Sequence, residues 1–158
     1  MGLSVTFYDI DVSAPVSTNA DILIDAPASA VWARLTNISG WPEWNTGVQW
    51  ISAQVPLTTG TGFEMRAAGQ TVRGRIQAVR PKDMLCWSSS ALFVSARHLV
   101  TLEDLGSQTR VHVSAAYRGA WPVAMPKRAR RHLKAMIQTG LEDLRNAVER
   151  RPVKRKAA

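Results

Sequence analysis

Hydrophobic and polar positions along this chain change period twice, from helical to alternating and back to helical. Ile22-Leu23-Ile24 is a short apolar run that predicts a strand, and Asp25-Ala26-Pro27-Ala28-Ser29 predicts a helix start. Pro27 fits the first turn of a helix, where a missing N–H is not needed. Val31, Trp32 and Leu35 then supply an apolar face as far as about Ile38. Gly40-Trp41-Pro42-Glu43-Trp44-Asn45 predicts a short turn or helix carrying two indoles. Upstream, Leu3, Val5 and Phe7 alternate as in a strand, but Pro15 and Ser17-Thr18-Asn19 interrupt that pattern. Residues 1–19 are therefore expected to be an extension or an extra strand.

From Val48 the period becomes two. Phe63, Met65 and Ala67 alternate with Glu64 and Arg66; Val72, Gly74 and Ile76 alternate with Arg73 and Arg75. A two-residue loop at Gly69-Gln70, with glycine first, suits a type II′ hairpin turn. That loop sets Met65 opposite Gly74, Phe63 opposite Ile76, Glu64 opposite Arg75 and Arg66 opposite Arg73. A further strand is expected at about Met84–Ala91. Val94–Asp104 and Thr109–Arg118 then form a second hairpin around Gly106-Ser107. Its register pairs Leu102 with Val111, Val100 with Val113, His98 with Ala115, Ala96 with Tyr117 and Glu103 with Arg110. Both hairpins have one apolar and one charged face, the signature of a half-solvated antiparallel sheet.

The helical period returns at the end. Ala129, Leu133, Met136, Ile137, Gly140, Leu141, Leu144 and Val148 form a wide apolar stripe. The helix is expected from near Pro126 to Arg150, stopping before Pro152. The order is strand, two short helices, about six more strands and a long helix. The economical α+β arrangement is one antiparallel sheet of six or seven strands wrapped around the long C-terminal helix. Residues 20–150 would be that domain and 151–158 a basic tail.

Several short motifs resemble a known family. Ile24-Asp25-Ala26-Pro27 followed by Val31-Trp32 is similar to the opening signature of the START-like polyketide cyclase/dehydrase (SRPBCC) superfamily. Trp41-Pro42-Glu43-Trp44-Asn45, Gly60-Thr61-Gly62, the Leu85-Cys86-Trp87 strand and Thr109-Arg110-Val111 match its later landmarks in order. The resemblance implies a helix-grip fold enclosing a cavity between sheet and long helix. It implies binding of a small hydrophobic molecule: a lipid, quinone or polyketide-like compound. Some members cyclise or dehydrate polyketides. The family has no invariant catalytic triad to carry over.

Strand parity turns Phe63, Met65, Ile76, Trp87, Val100 and Val113 inward, and the helix can face them with Met136 and Gly140. These residues either fill a core or line a cavity with few polar groups, the usual form of a small-molecule site. Ser89, His98 and Tyr117 share the inward parity. His98 is either a hydrogen-bonded interior histidine, a ligand contact, or a proton-transfer group. Tyr117 suits a wall with its hydroxyl at the rim; Ser89 has no visible base beside it. Trp41 and Trp44 either staple their short helix to the sheet or, as the resemblance implies, flank the cavity mouth. Cys86 has the opposite parity from Trp87 and reads as a packed thiol.

Composition narrows the classes. The chain has 158 residues, 46% hydrophobic and 20% charged, which suits one globular domain. The single cysteine excludes an internal disulfide framework. No histidine–carboxylate spacing suggests a metal, and no phosphate loop or dinucleotide fingerprint suggests a cofactor. Met1–Ala20 lacks the basic start and apolar run of a secretory signal, so a cytoplasmic protein is expected.

The net charge of +8 is unevenly placed: residues 1–125 carry 9 basic and 9 acidic residues, residues 126–158 carry 11 and 3. Strong affinity for a phosphate-rich partner can reside only in that end. The basic residues either serve the helix dipole and solubility or meet an anionic membrane surface. Nucleic acid is the weaker reading, because no aromatic interleaving would stack bases. Nothing in the sequence sets an oligomeric state. The expectation is a hydrophobic-ligand-binding domain. The alternatives are a cyclase- or dehydratase-type enzyme using the same cavity and a membrane-docking lipid or quinone carrier using the basic helix.

Overall fold

The computed structural model describes residues 13–150, and within them the apolar patterns find partner surfaces. The chain runs β1 (Val16–Ile24), α1 (Ala28–Thr36), a 3₁₀ turn (Ile38–Gly40), α2 (Trp41–Trp44), β2 (Val48–Ala53), β3 (Gly62–Ala67), β4 (Gln70–Arg80), β5 (Met84–Ala91), β6 (Val94–Asp104), β7 (Thr109–Arg118), α3 (Ala120–Ala124) and α4 (Pro126–Glu149). All seven strands form one antiparallel sheet in the order β1-β7-β6-β5-β4-β3-β2. Its concave face holds the core with α1, α2 and α4. The stretch at Leu3, Val5 and Phe7 and the tail at 151–158 lie outside the described residues.

β1 starts at Val16, six residues before the expected Ile22, and takes in residues 16–19 of the expected extension. Ser17-Thr18-Asn19 does not break it, because the whole segment pairs with β7, from Val16 opposite Tyr117 to Ile24 opposite Thr109. Pro27 sits one place earlier than expected, at the cap of α1 rather than inside its first turn.

The β6–β7 hairpin has the predicted register throughout, with Val100 opposite Val113 and Glu103 opposite Arg110. The β3–β4 hairpin does not. Its loop is Ala68-Gly69, with φ of +49° and +75°, the primed turn in which both central residues are left-handed. Phe63 therefore faces Gly74, Met65 faces Val72, Glu64 faces Arg73 and Arg66 faces Thr71. The two-residue slip keeps every side chain on its predicted face but changes its partner. The ion pair that forms is Arg73–Glu64, at 2.8 Å.

α4 carries two parallel stripes. Ala129, Leu133, Ile137, Leu141 and Leu144 are buried, and the helix packs along β1, β7, α1 and α3. The neighbouring stripe, through His132, Met136 and Gly140, faces the far part of the sheet across open space. Lys127, Arg128, Arg130 and Arg131 fall in the first two turns, and α4 has no basic residue in its last turn. The cations within the helix thus gather at the end where its dipole is positive. None of the described helices is long and apolar enough to cross a membrane.

Candidate functional site

Because α4 lies against the β1–β7 side, the curled β2–β5 side leaves a cavity of about 390 Å³ between sheet and helix. That volume lies within the usual range for small-molecule sites, roughly 300–1,000 Å³. Its walls are apolar. Trp87, Val100 and Val113 form the floor, Met65 and Ala67 one side, Trp41 and Trp44 a second, and Met136, Gly140 and Leu144 the roof. Among the described residues, no Asp, Glu, Lys or Arg lines it. An ionic centre would find no counter-charge there, so the geometry suits a neutral, largely apolar guest.

The aromatic wall is continuous. Trp41 meets Trp44 edge-on at 6.3 Å and Trp87 at 5.6 Å, and Trp87 stacks on His98 at 5.0 Å and 12°. Trp41 Nε1 donates to the Leu35 carbonyl at 2.9 Å, which fixes its ring. Two other wall rings carry buried nitrogens with no hydrogen-bond partner among the described residues: Trp44 Nε1 and His98 Nδ1. An unpaired buried polar group costs about 1–3 kcal/mol, so both rings carry an unfavourable burial. Burial pushes the His98 pKa down from 6.5 to about 4, so its ring is neutral near pH 7.

The rim is polar and held in place. The α2–β2 turn contributes Asn45, Thr46 and Gly47, and α4 contributes His132 and Thr139. Thr46 donates to Asp143 Oδ2 through its backbone N–H at 2.9 Å and its hydroxyl at 2.7 Å. Gly47 N–H donates to Asn45 Oδ1 at 3.0 Å. The His132 ring stands edge-on to Trp121 at 5.6 Å.

Of the residues expected at the site, Trp41, Trp44, Met65, Trp87, His98, Val100, Val113, Met136 and Gly140 all line the cavity. Four do not. Phe63 is buried over Gly74, where a β-carbon would lie 2.2 Å from its ring. Ile76 is fully packed in the core beside the β4 bulge. Ser89 lies two residues past Trp87, about 7 Å farther along β5, and borders a separate shallow basin with Ser88, Ser90 and Arg97. Tyr117 is not a rim group: it is buried, its hydroxyl turned to Met136 Sδ at 3.9 Å and its ring against Trp121. Burial pushes its phenol up to about 12. Cys86 is fully buried on the opposite side of β5, in a small cluster with Ala78 and Met84, and burial raises its thiol pKa.

Sequence reasoning missed Asn45, Thr46, Gly47, His132 and Thr139. The four-residue spacing His132–Met136–Gly140, offset from the buried stripe, was the available signal for the helix side. Asn45 ends the Trp41–Asn45 motif, which was its signal; Thr46 had none, because its placement depends on Asp143, 97 positions away.

A family model described as polyketide cyclase/dehydrase and lipid transport matches residues 15–149. No curated protein sequence matches the chain. Among solved structures, a hypothetical protein of Helicobacter pylori is 16% identical, with a TM-score of 0.79 over 89% of this chain and 92% of that one. The Zhui aromatase/cyclase of Streptomyces sp. R1128 is 17% identical, with a TM-score of 0.70 over 85% and 94%. DynU16, from the dynemicin biosynthetic locus, is 23% identical, with a TM-score of 0.68 over 84% of this chain but only 47% of its own. At these identities the likeness shows the shared fold.

Proposed function

Because this chain belongs to the polyketide cyclase/dehydrase and lipid transport family, we propose that it binds one small hydrophobic molecule between the sheet and α4. The observation that carries this reading is the cavity itself: about 390 Å³, with an apolar wall, no charged side chain among the described residues and a polar rim. A guest with an apolar body and a polar end fits: the body against Trp87, Val100 and Met136, the end near Asn45, Thr46 and Thr139. Lipids, quinones and polyketide-like compounds share that form.

Gly140 supplies a direct test. Gly140 lines the cavity and a β-carbon there meets nothing within 4 Å, so Gly140→Phe starts a bulky side chain in open space at the cavity wall. Native mass spectrometry of the purified protein, and uptake of a fluorescent fatty acid, quinone or aromatic polyketide, measure occupancy. The expected result is uptake by the wild type and at least about tenfold weaker uptake by Gly140→Phe, since filling the site excludes the guest. A wild type that takes up none of these probes, or a variant that binds them equally well, overturns the reading.

A second reading, cyclase- or dehydratase-type turnover, is favoured by one observation: His98, neutral and with an orphaned nitrogen, is the cavity's buried titratable group. Its low basicity suits holding a guest's polar atom better than removing a proton near pH 7. His98→Ala separates the two readings. Loss of turnover with binding retained supports catalysis, and unchanged turnover removes it.

A further inference from the structure

The tip of the β5–β6 hairpin breaks the usual rules of turn chemistry. A two-residue turn ordinarily carries Gly, Asn or Asp. Here it is Leu92-Phe93, with side chains 73% and 66% exposed, and Phe93 is left-handed at φ +64°. A bulky residue in that region is strained. The strain is over-determined by a neighbour. Gly119, at φ +122°, passes so close that a β-carbon would lie 2.4 Å from the Phe93 carbonyl oxygen. That oxygen also accepts from Trp121 N–H at 3.5 Å. The turn and α3 are thereby joined into one platform, to which α3 adds exposed Val123 and the α3–α4 junction exposed Met125.

The charge beside this platform is one-sided. α4 starts immediately after Met125 with Lys127, Arg128, Arg130 and Arg131, all exposed, and none takes part in an ion pair among the described residues. No acidic residue lies in the first turn of α4. One part of the cavity's rim reaches this end of the molecule, since His132 directly follows Arg131 on α4. β5 ends and β6 begins there, β3 ends there at Ala67, β2 begins there beside Thr46-Gly47, and His132 and Met136 continue α4 from the cationic turns to the rim.

We propose that this end of the molecule docks on a bilayer surface carrying anionic lipid. Leu92, Phe93, Val123 and Met125 enter the boundary between headgroups and acyl chains, and the α4 cations meet the phosphate and serine headgroups. An exposed apolar apex with a cationic flank matches the layering of such a surface. A nucleic acid would engage the cations and leave the apolar apex in water. Docked this way, the His132 side of the rim lies nearest the bilayer, and an apolar guest moves between lipid and cavity along that side. Only that last role rests on the ligand-binding reading; adsorption is measured separately.

The test is co-sedimentation of the full chain with phosphatidylcholine vesicles, with and without phosphatidylserine, over a range of salt. The wild type is expected to bind the serine-containing vesicles, less so as salt rises, and to bind neutral vesicles poorly. Leu92→Ser/Phe93→Ser weakens binding about tenfold or more at every salt concentration, and Arg128→Glu/Arg131→Glu does so mainly at low salt. Both double variants keep the wild-type melting temperature and take up the fluorescent probe normally from water, which separates lost docking from a lost cavity. Wild-type protein that ignores anionic vesicles overturns the proposal. So does full binding by the Leu92/Phe93 variant, or binding abolished simply by removing residues 151–158.

Discussion

A β-carbon on Gly74 would fall 2.2 Å from the Phe63 ring, which is buried. Gly74→Ala therefore forces that ring aside and should lower stability by about 1–3 kcal/mol, the usual cost of overpacking. Phe63→Leu in the Gly74→Ala background should recover part of the loss, because the two positions share one space. Urea midpoints of the four proteins decide it; strictly additive effects would count against the contact. At His98 the cost is electrostatic. Its folded pKa is about 4 against an ordinary 6.5, so the unfolded chain takes up the proton first as pH falls. The stability tied to the neutral ring is complete above about pH 6.5. It declines as pH falls toward 4, by about 3 kcal/mol over the window. His98→Leu should flatten this stretch of the stability–pH curve. A slope equal to that of the wild type would mean the acid sensitivity lies elsewhere.

At the scale of elements, α4 carries a glycine in its middle where an alanine would favour the helix by about 1 kcal/mol. Nothing in packing explains Gly140, since a β-carbon there would meet only open space. Gly140→Ala should therefore raise the melting temperature, by roughly 2–4 °C for a chain of this size, while trimming the cavity. A lower melting temperature would show that the glycine serves the helix rather than the void. The elements themselves were largely legible in the sequence, because strand alternation and the α4 stripe are strong local signals. The β6–β7 register was readable because Gly106 takes the left-handed position of its turn, at φ +87°. The β3–β4 register was not, because Ala68 adopts a conformation its side chain does not advertise. The slip of two preserved the faces, which is why Met65 still reaches the cavity while Phe63 is drawn over Gly74. The inner wall was thus visible from parity. The rim was not, because it depends on elements distant in sequence meeting across α4.

At the scale of the whole molecule, α4 is fastened to the rest of the chain at two points in its C-terminal half. Glu149 Oε1 accepts from the Asp25 N–H at 2.8 Å, tying the helix end to the β1–α1 junction. Asp143 Oδ2 accepts twice from Thr46, tying the helix to the α2–β2 turn across the mouth. Both carboxylates work at exposed positions, so each is worth only about 1 kcal/mol or less. Their consequences should nonetheless differ, because only the Asp143 tie borders the cavity. Asp143→Ala frees the turn bearing Asn45 and Thr46. It is expected to speed both entry and release of a bound fluorescent probe several-fold while leaving the equilibrium affinity nearly unchanged, since the apolar wall is intact. Glu149→Ala should cost similar stability and leave the exchange rates at wild-type values. Stopped-flow displacement of the probe by unlabelled competitor measures both. Equal rates for the two variants would mean that the mouth does not control passage and that exchange follows motion of the sheet itself. Acceleration confined to Asp143→Ala would make the turn–helix tie the gate of the cavity.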